Sequence, residues 1–203
     1  MAESIVLLSG GIESTTLLHQ ERQGRSPVGL FVDYGQRGAA RERRAAQTQC
    51  DRLGVALREL DMASVGEAFR EGLDRRLHVP LPHRNLVVLS LGLSFADNHG
   101  AARLALALNR EDADSYAGAS NDFLQRFEDL ARTLSPIEVV TPLVALSKAE
   151  VIVLGTELGV DFADTYSCLL GYPQHCGSCP QCLKRRAAFE AAEQPDPTAY
   201  RRD

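Results

Sequence analysis

Apolar residues in this chain gather in short continuous runs, each followed by a stretch in which polar and apolar positions mix. Ile5 to Leu8 is the first such run, the kind expected of a parallel strand covered on both faces. Ser9-Gly10-Gly11 interrupts it, and Ser14 to Gln20 reads as a helix. Val28 to Val32 repeats the strand signal and ends in Asp33-Tyr34-Gly35-Gln36. The charged, alanine-rich stretch Ala39 to Leu53 reads as a helix stopping near Gly54, and Val55 to Leu60 as a third strand. Phe69 to Pro82 reads as irregular, Leu86 to Asn98 as a buried helix, and Leu104 to Leu108 as a fourth strand. A polar loop is expected from Asn109 to Asn121, and a helix from Phe123 to Thr133. Val139 to Leu143 reads as a last strand running into a turn, and Lys148 to Leu158 as a helix. A cysteine-rich segment, a short basic helix and a frayed tail from Gln194 to Asp203 complete the pattern.

Strands alternating with helices predict an α/β fold, a doubly wound, mostly parallel Rossmann-like sheet. Residues 1–160 are expected to form this nucleotide-binding domain, and 161–203 a small C-terminal zinc-binding lobe. The formal net charge of −5 argues against a grip on bulk nucleic acid. No apolar stretch reaches the roughly 18 residues of a membrane span, and Met1 to Leu8 is too short and too acidic for a signal peptide. A cytoplasmic location is therefore expected. There, five cysteines read as metal ligands or free thiols before they read as disulfides.

Two glycines directly after a strand let the backbone turn sharply and expose successive N–H groups. Ser9 and Ser14 add hydroxyls, and the next helix aims its positive end at the same spot. Ser9, Gly10, Gly11 and Ser14 thus suit a pyrophosphate or triphosphate; neither a dehydrogenase fingerprint nor a Walker lysine is present. The plainer alternative is a tight strand–helix turn. Near the C-terminus, Cys168, Cys176, Cys179 and Cys182 have the spacing C-x7-C-x2-C-x2-C. Paired thiolates two residues apart reach one tetrahedral ion, so a closed structural zinc site is expected, with an iron–sulfur cluster as the rival. Lys184, Arg185 and Arg186 follow closely enough to offset thiolate charge. Cys50 reads as a small buried hydrophobe.

Ser9-Gly-Gly-Ile-Glu-Ser14 resembles the phosphate loop of the ATP pyrophosphatase (PP-loop, adenine nucleotide alpha hydrolase-like) superfamily, with Glu13 at the usual aspartate position. Several further segments resemble its 7-cyano-7-deazaguanine synthase (QueC-like) branch. They are Asp33-Tyr-Gly-Gln-Arg37, Pro82-His-Arg-Asn85, Thr141-Pro-Leu143, Ser147-Lys-Ala-Glu150, Thr165-Tyr-Ser-Cys168 and the cysteine knuckle. Together they span nearly the whole chain. Gly38 and the loop Tyr116-Ala-Gly-Ala-Ser120 depart from the branch, which carries histidine at the first position and a Tyr-Pro-Asp-Cys-Arg segment at the second.

The resemblance implies ATP-dependent adenylation of 7-carboxy-7-deazaguanine and reaction with ammonia to give the nitrile. It implies ATP, Mg2+ and Zn2+ as cofactors, with Glu13 at the magnesium–pyrophosphate end. Two alternatives remain: joining the activated acid to an amine on another molecule, such as a protein N-terminus, or a nucleotide-binding module serving a partner. The small residues at 117–120 are expected to widen the space beside the activated carbon, unless another part of the chain fills it. Lys148 sits at a helix start, where a lysine opposes the helix dipole, which favours a functional role. Arg84 is expected to stabilise departing charge or to hold substrate through its planar fork. Asn85 is a candidate substrate contact or a helix cap, Tyr34 and Gly35 an adenine slot or packing, and Asp112 a contact to the ring's N–H edge or a solvated acid. Oligomeric state stays open, a homodimer being one option.

Overall fold

The computed structural model describes residues 3–70 and 81–201. Five parallel strands, β1 (Glu3–Leu7), β2 (Ser26–Asp33), β3 (Leu57–Asp61), β4 (Arg103–Leu106) and β5 (Glu138–Val140), lie in the order β3-β2-β1-β4-β5. The register is direct: Ile5 faces Val28 on one side and Leu104 on the other. Because successive strand residues point to opposite faces, Val6 and Leu8 enter one core and Ile5 and Leu7 the other. Helices α1 (Ile12–Arg22), α2 (Ala39–Leu53), α7 (Lys148–Glu157) and α8 (Pro180–Ala191) cover the first face. Helices α4 (Arg84–Asn98) and α6 (Asn121–Leu134) cover the second. This is the doubly wound arrangement that the apolar runs predict, with every strand pairing parallel.

Several local expectations need correction. A short helix, α3 (Ala63–Arg70), follows the third strand and reaches Phe69 and Arg70, the first two residues of the stretch read as irregular, while residues 71–80 lie outside those described. Its entry is fixed by Asp61, whose Oδ1 accepts the Ala63 N–H at 3.0 Å. The loop after β4 contains helix α5 (Arg110–Ser115) and a 3-10 turn (Ala117–Ala119). Asn109 caps α5, its Oδ1 accepting from the Asp112 N–H at 2.8 Å. β5 stops at Val140, short of Leu143, where Thr141-Pro142 turns the chain. Asn85 does not cap α4: His83, in the left-handed region, holds that position, and Asn85 Nδ2 donates to the Gly118 carbonyl at 2.9 Å. The tail is docked through residue 201. Asp196 accepts from Thr198 and Tyr200 and pairs with Arg185, and the Arg201 N–H donates to the His175 carbonyl at 2.9 Å.

The inner face of α8 places Ala188, Phe189 and Ala192 in the same core as Leu17, Val151 and Ile152. The cysteine segment is thus joined to the sheet by ordinary apolar packing, and α8 becomes a wall of whatever lies beyond the strands' carboxyl ends.

Candidate active site

In open parallel sheets the crevice forms where the chain reverses direction across the sheet, here between β1 and β4. A cleft of about 430 Å³ opens there. Ser9, Gly11, Glu13 and Ser14 line it from the β1–α1 turn, Tyr34 from β2, Arg84 from α4, Asp112 from α5 and Lys148 from α7. Tyr166 and Ser167 before the cysteine knuckle, and Gln181 and Lys184 on α8, supply the remaining wall. A smaller annexe of about 130 Å³ runs inward beneath Arg84 and Asn85, with Gln36 and Glu42 polar among apolar neighbours.

The two glycines of the turn do different things. Gly10 has φ +74°, and a Cβ there would lie 2.5 Å from the Glu42 carbonyl oxygen, so it lets α2 pack against the turn. Gly11 instead presents a bare Cα to the cleft, with Ser9 Oγ, the Tyr166 carbonyl and Glu13 Oε2 at 3.5–4.0 Å from where a Cβ would sit. Ser14 Oγ accepts from the Ser9 N–H at 3.2 Å and lies 3.1 Å from Ser9 Oγ, so the hydroxyls brace the loop. Gly10 and Gly35 do not line the cleft. The Gly35 N–H is taken by Asp33 and that of Tyr34 by Gln36, so neither amide is free to form an adenine slot.

Glu13 is the electrostatic centre. Its Oε1 accepts from Lys148 Nζ and, at 2.9 Å, from Asn109 Nδ2. Burial pushes the carboxyl up, but the Lys148 charge, its hydrogen bond and the Asn109 amide outweigh this and hold it below the usual range. Oε2, the oxygen that neither Lys148 nor Asn109 meets, lies 4.0 Å from where a Gly11 Cβ would sit. A hard oxygen beside a phosphate-sized hollow fits magnesium, which binds proteins through one or two carboxylates and completes its shell with phosphate and water. Asp112 is held above the usual carboxylate range by burial and by Glu13, against the opposing pull of Lys148 and Lys184. Arg84 reaches towards the Tyr34 hydroxyl at 3.5 Å; burial disfavours its charge, but Tyr34 and Glu42 around it keep the guanidinium firmly charged.

Cys168, Cys176, Cys179 and Cys182 are all buried, with their sulfurs within 4.8 Å of one another and Cys176 Sγ 3.8 Å from Cys182 Sγ. Four thiolates about 2.3 Å from one tetrahedral ion would be spaced by about 3.8 Å, so the set fits a single ion such as zinc. A multi-iron cluster would hold them farther apart. Burial raises Cys176, yet the Ser178 and Cys179 N–H groups overcome it and bring the thiol to about 6. The expected cationic neighbours lie elsewhere: Lys184 faces the cleft, and Arg186 stacks on the Tyr200 ring at 3.9 Å. Arg185, fully buried, donates to Thr165, Ser167 and the Phe162 carbonyl and pairs with Asp196. Amide N–H groups, not these cations, meet the Cys168 and Cys176 sulfurs. His175 stays off the sulfurs as well, its Nε2 accepting from the Ser167 N–H at 3.0 Å. Cys50 is a core residue whose thiol burial pushes up to about 12.

Glu42, Asn109 and Gln181 were not singled out from the sequence, and Lys184 was read there as a neighbour of the thiolates, not as a cleft residue. Asn109 carried a usable signal, an Asn three residues before Asp112 directly after a strand. The others carried none, since only folding brings them to the crevice. The small residues at 117–119 do not line the cleft; Ala119 is buried, and Lys184 leans over the ring of Tyr116 at 5.5 Å.

Residues 3–193 match the family model described as "Queuosine biosynthesis protein QueC". The chain is 34% identical over 199 residues to 7-cyano-7-deazaguanine synthase 1 of Sulfurisphaera tokodaii, covering 98% of each. It is 37% identical over 221 residues to the 7-cyano-7-deazaguanine synthase of Aromatoleum aromaticum, covering 98% of this chain and 97% of that one. Among solved structures it is similar to NMN synthetase from Francisella tularensis, with TM-score 0.54, 15% identity, and 96% and 78% of the two chains covered. A predicted subunit of tRNA methyltransferase from Methanocaldococcus jannaschii gives TM-score 0.55 at 19% identity, over 77% and 75%. These last two likenesses speak for the fold alone. Cleft, knuckle and full-length match together place the chain in the QueC family.

Proposed function

We propose that this protein is an ATP-dependent carbon–nitrogen ligase that adenylates 7-carboxy-7-deazaguanine and converts it with ammonia to 7-cyano-7-deazaguanine. The observation that carries the reading is the Glu13–Lys148–Asn109 cluster against the open Gly11 cradle, in a chain whose relatives bear that name. The substitution of glutamate for aspartate leaves the carboxylate held and aimed at the phosphate site, which speaks for an enzyme over an inactive module.

A carboxylate resists nucleophiles until its oxygen is made a leaving group. In this reading the acid's oxygen attacks the α-phosphorus of ATP, the α–β bond breaks, and pyrophosphate departs. The Gly11 cradle, the α1 N-terminus and Lys148 face the charge that develops on it. Magnesium, held through Glu13 Oε2, would supply further neutralisation there. Arg84 holds the reacting acid by its fork, and Asp112 meets the ring's N–H edge. Ammonia then displaces AMP to give an amide. A second ATP then adenylates the amide oxygen, with pyrophosphate leaving and the amide nitrogen giving up one proton. Loss of the second N–H proton as AMP departs with that oxygen breaks the C–O bond and gives the nitrile, so the cleft must retain the amide between rounds. Cys168, Cys176, Cys179 and Cys182 would hold zinc, which would tie α8 to the Tyr166–Ser167 wall and supply structural support only.

The test is product analysis by mass after incubation with ATP, the deazaguanine acid and ammonia. AMP, pyrophosphate and the nitrile are expected. Release of ADP would overturn adenylation, and adenylate accumulating without nitrile would point to a different amine acceptor.

A further inference from the structure

Three cationic side chains line the cleft: Arg84, Lys148 and Lys184. The first two have partners. Lys148 is ion-paired with Glu13, and Arg84 faces Glu42 and the Tyr34 hydroxyl. Lys184 has neither a hydrogen bond nor an ion pair among the described residues; its ammonium rests over the Tyr116 ring, 5.5 Å from the centroid, and acts on the Asp112 carboxylate only through space. An aromatic face orients a cation without neutralising it. The side chain is half-buried, so its charge is only partly hydrated. Its position is fixed from behind, because Lys184 lies one half-turn after the buried ligand-type residue Cys182 on α8. Gln181, one turn earlier on the same face, also lines the cleft and adds an amide beside it.

We propose that Lys184 is the anion-docking cation of the cleft, waiting on Tyr116 until an oxyanion of a substrate arrives. A half-buried ammonium that no hydrogen bond or ion pair satisfies gains from an anionic ligand that meets it directly. Within the reading above, on which this proposal rests, two substrates carry such oxygens: the acid, through its carboxylate, and the nucleotide, through its pyrophosphate arm. The phosphate cradle and Lys148 stand at the β1–α1 turn, whereas Lys184 projects from α8 across the cleft.

Calorimetric titration of the zinc-loaded protein with three ligands separates the sources: 7-carboxy-7-deazaguanine, its neutral carboxamide, and α,β-methylene-ATP. Lys184→Gln is expected to weaken binding of one anionic ligand about tenfold or more. Carboxamide affinity, zinc content and melting temperature should stay unchanged, and Lys184→Arg should restore most of the lost affinity. Weakening confined to the acid assigns the carboxylate; weakening confined to the nucleotide assigns the pyrophosphate. Both anionic affinities staying within twofold of wild type in Lys184→Gln would overturn the proposal. A wild-type protein that binds the nucleotide but no deazaguanine refutes the substrate reading alone, and the nucleotide arm then decides the role of Lys184.

Discussion

Replacing Gly10 with alanine would place a methyl carbon 2.5 Å from the Glu42 carbonyl oxygen and 2.8 Å from both Ala45 Cβ and Ala46 N, at a φ of +74°. The left-handed backbone costs an L-residue about 1–2 kcal/mol, and overpacking against a helix backbone adds about 1–3 kcal/mol. Gly10→Ala is therefore expected to lose about 2–5 kcal/mol, a large part of the stability of an ordinary domain. The same change one residue later should behave oppositely. A Cβ at Gly11 meets nothing nearer than 3.5 Å, and its φ of −80° suits any residue. Gly11→Ala should shift stability by less than about 0.5 kcal/mol. Its methyl nevertheless fills the hollow between Ser9 Oγ and Glu13 Oε2, so nucleotide affinity should fall at least about tenfold, or roughly 1.4 kcal/mol. Urea unfolding followed by circular dichroism measures the first quantity, and calorimetry with α,β-methylene-ATP the second. Undiminished nucleotide binding in Gly11→Ala would refute the cradle, and a Gly10→Ala protein within 0.5 kcal/mol of wild type, on the order of measurement error, would refute the close approach of α2.

Three further outcomes are expected. Cys179→Ala should remove the metal from a site whose binding energy is folding energy, on the order of 10 kcal/mol in small zinc domains, so elemental analysis should find no zinc and little soluble protein. Arg185→Met should cost about 3–5 kcal/mol in urea unfolding, because Asp196 and the Phe162 carbonyl lose a buried partner; a loss under about 1 kcal/mol would contradict the hub described for it. Glu13 lies below its ordinary value of 4.5, so its ionised form stabilises the fold at neutral pH, and that contribution disappears as pH falls through the folded-state value. The stability gap between wild type and Glu13→Gln should consequently be constant above pH 4.5 and narrow below it; a gap unchanged down to the acid transition would rule out the Lys148 pairing. Glu13→Asp should retain much of the turnover that Glu13→Gln loses.

The middle of the sheet was legible because the segments of β1, β2 and β4 are continuous apolar runs, whereas β3, Leu57-Arg-Glu-Leu-Asp61, mixes charged and apolar residues at the sheet's edge. The phosphate turn was legible because glycine pairs and flanking serines are local signals, and the cysteines because their spacing is itself geometry. What escaped were features decided by distant contacts. Helix α3 is only eight residues long, too short for its periodicity to stand out, and forms where Asp61 caps it and Gly66 lies against Gly35. The tail looked frayed by composition, yet Asp196 finds a buried guanidinium from α8. Asn85 looked like a cap, but the left-handed His83 ahead of it moves the helix start and sends the amide to Gly118. Lys184 read as a counterion for thiolates because sequence proximity says nothing about which way a helix faces.

The order of strands has a consequence for synthesis on the ribosome. Ser4 and Ile5 wait for Arg103 and Leu104 before β1 acquires its second neighbour, so the central strand emerges early with one edge bare. The cleft waits longer, since it is assembled from Ser9, Asn109, Lys148 and Lys184, and the cysteines that fix α8 follow all five strands in the chain. Non-local pairing of this kind is slow and leaves apolar surface open while it proceeds. A nascent chain that has not yet made the cysteines therefore lacks the α8 wall of the cleft, and metal capture follows the sheet instead of preceding it. Shortage of the ion would show itself as chains lost to quality control, not as a pool of slow enzyme.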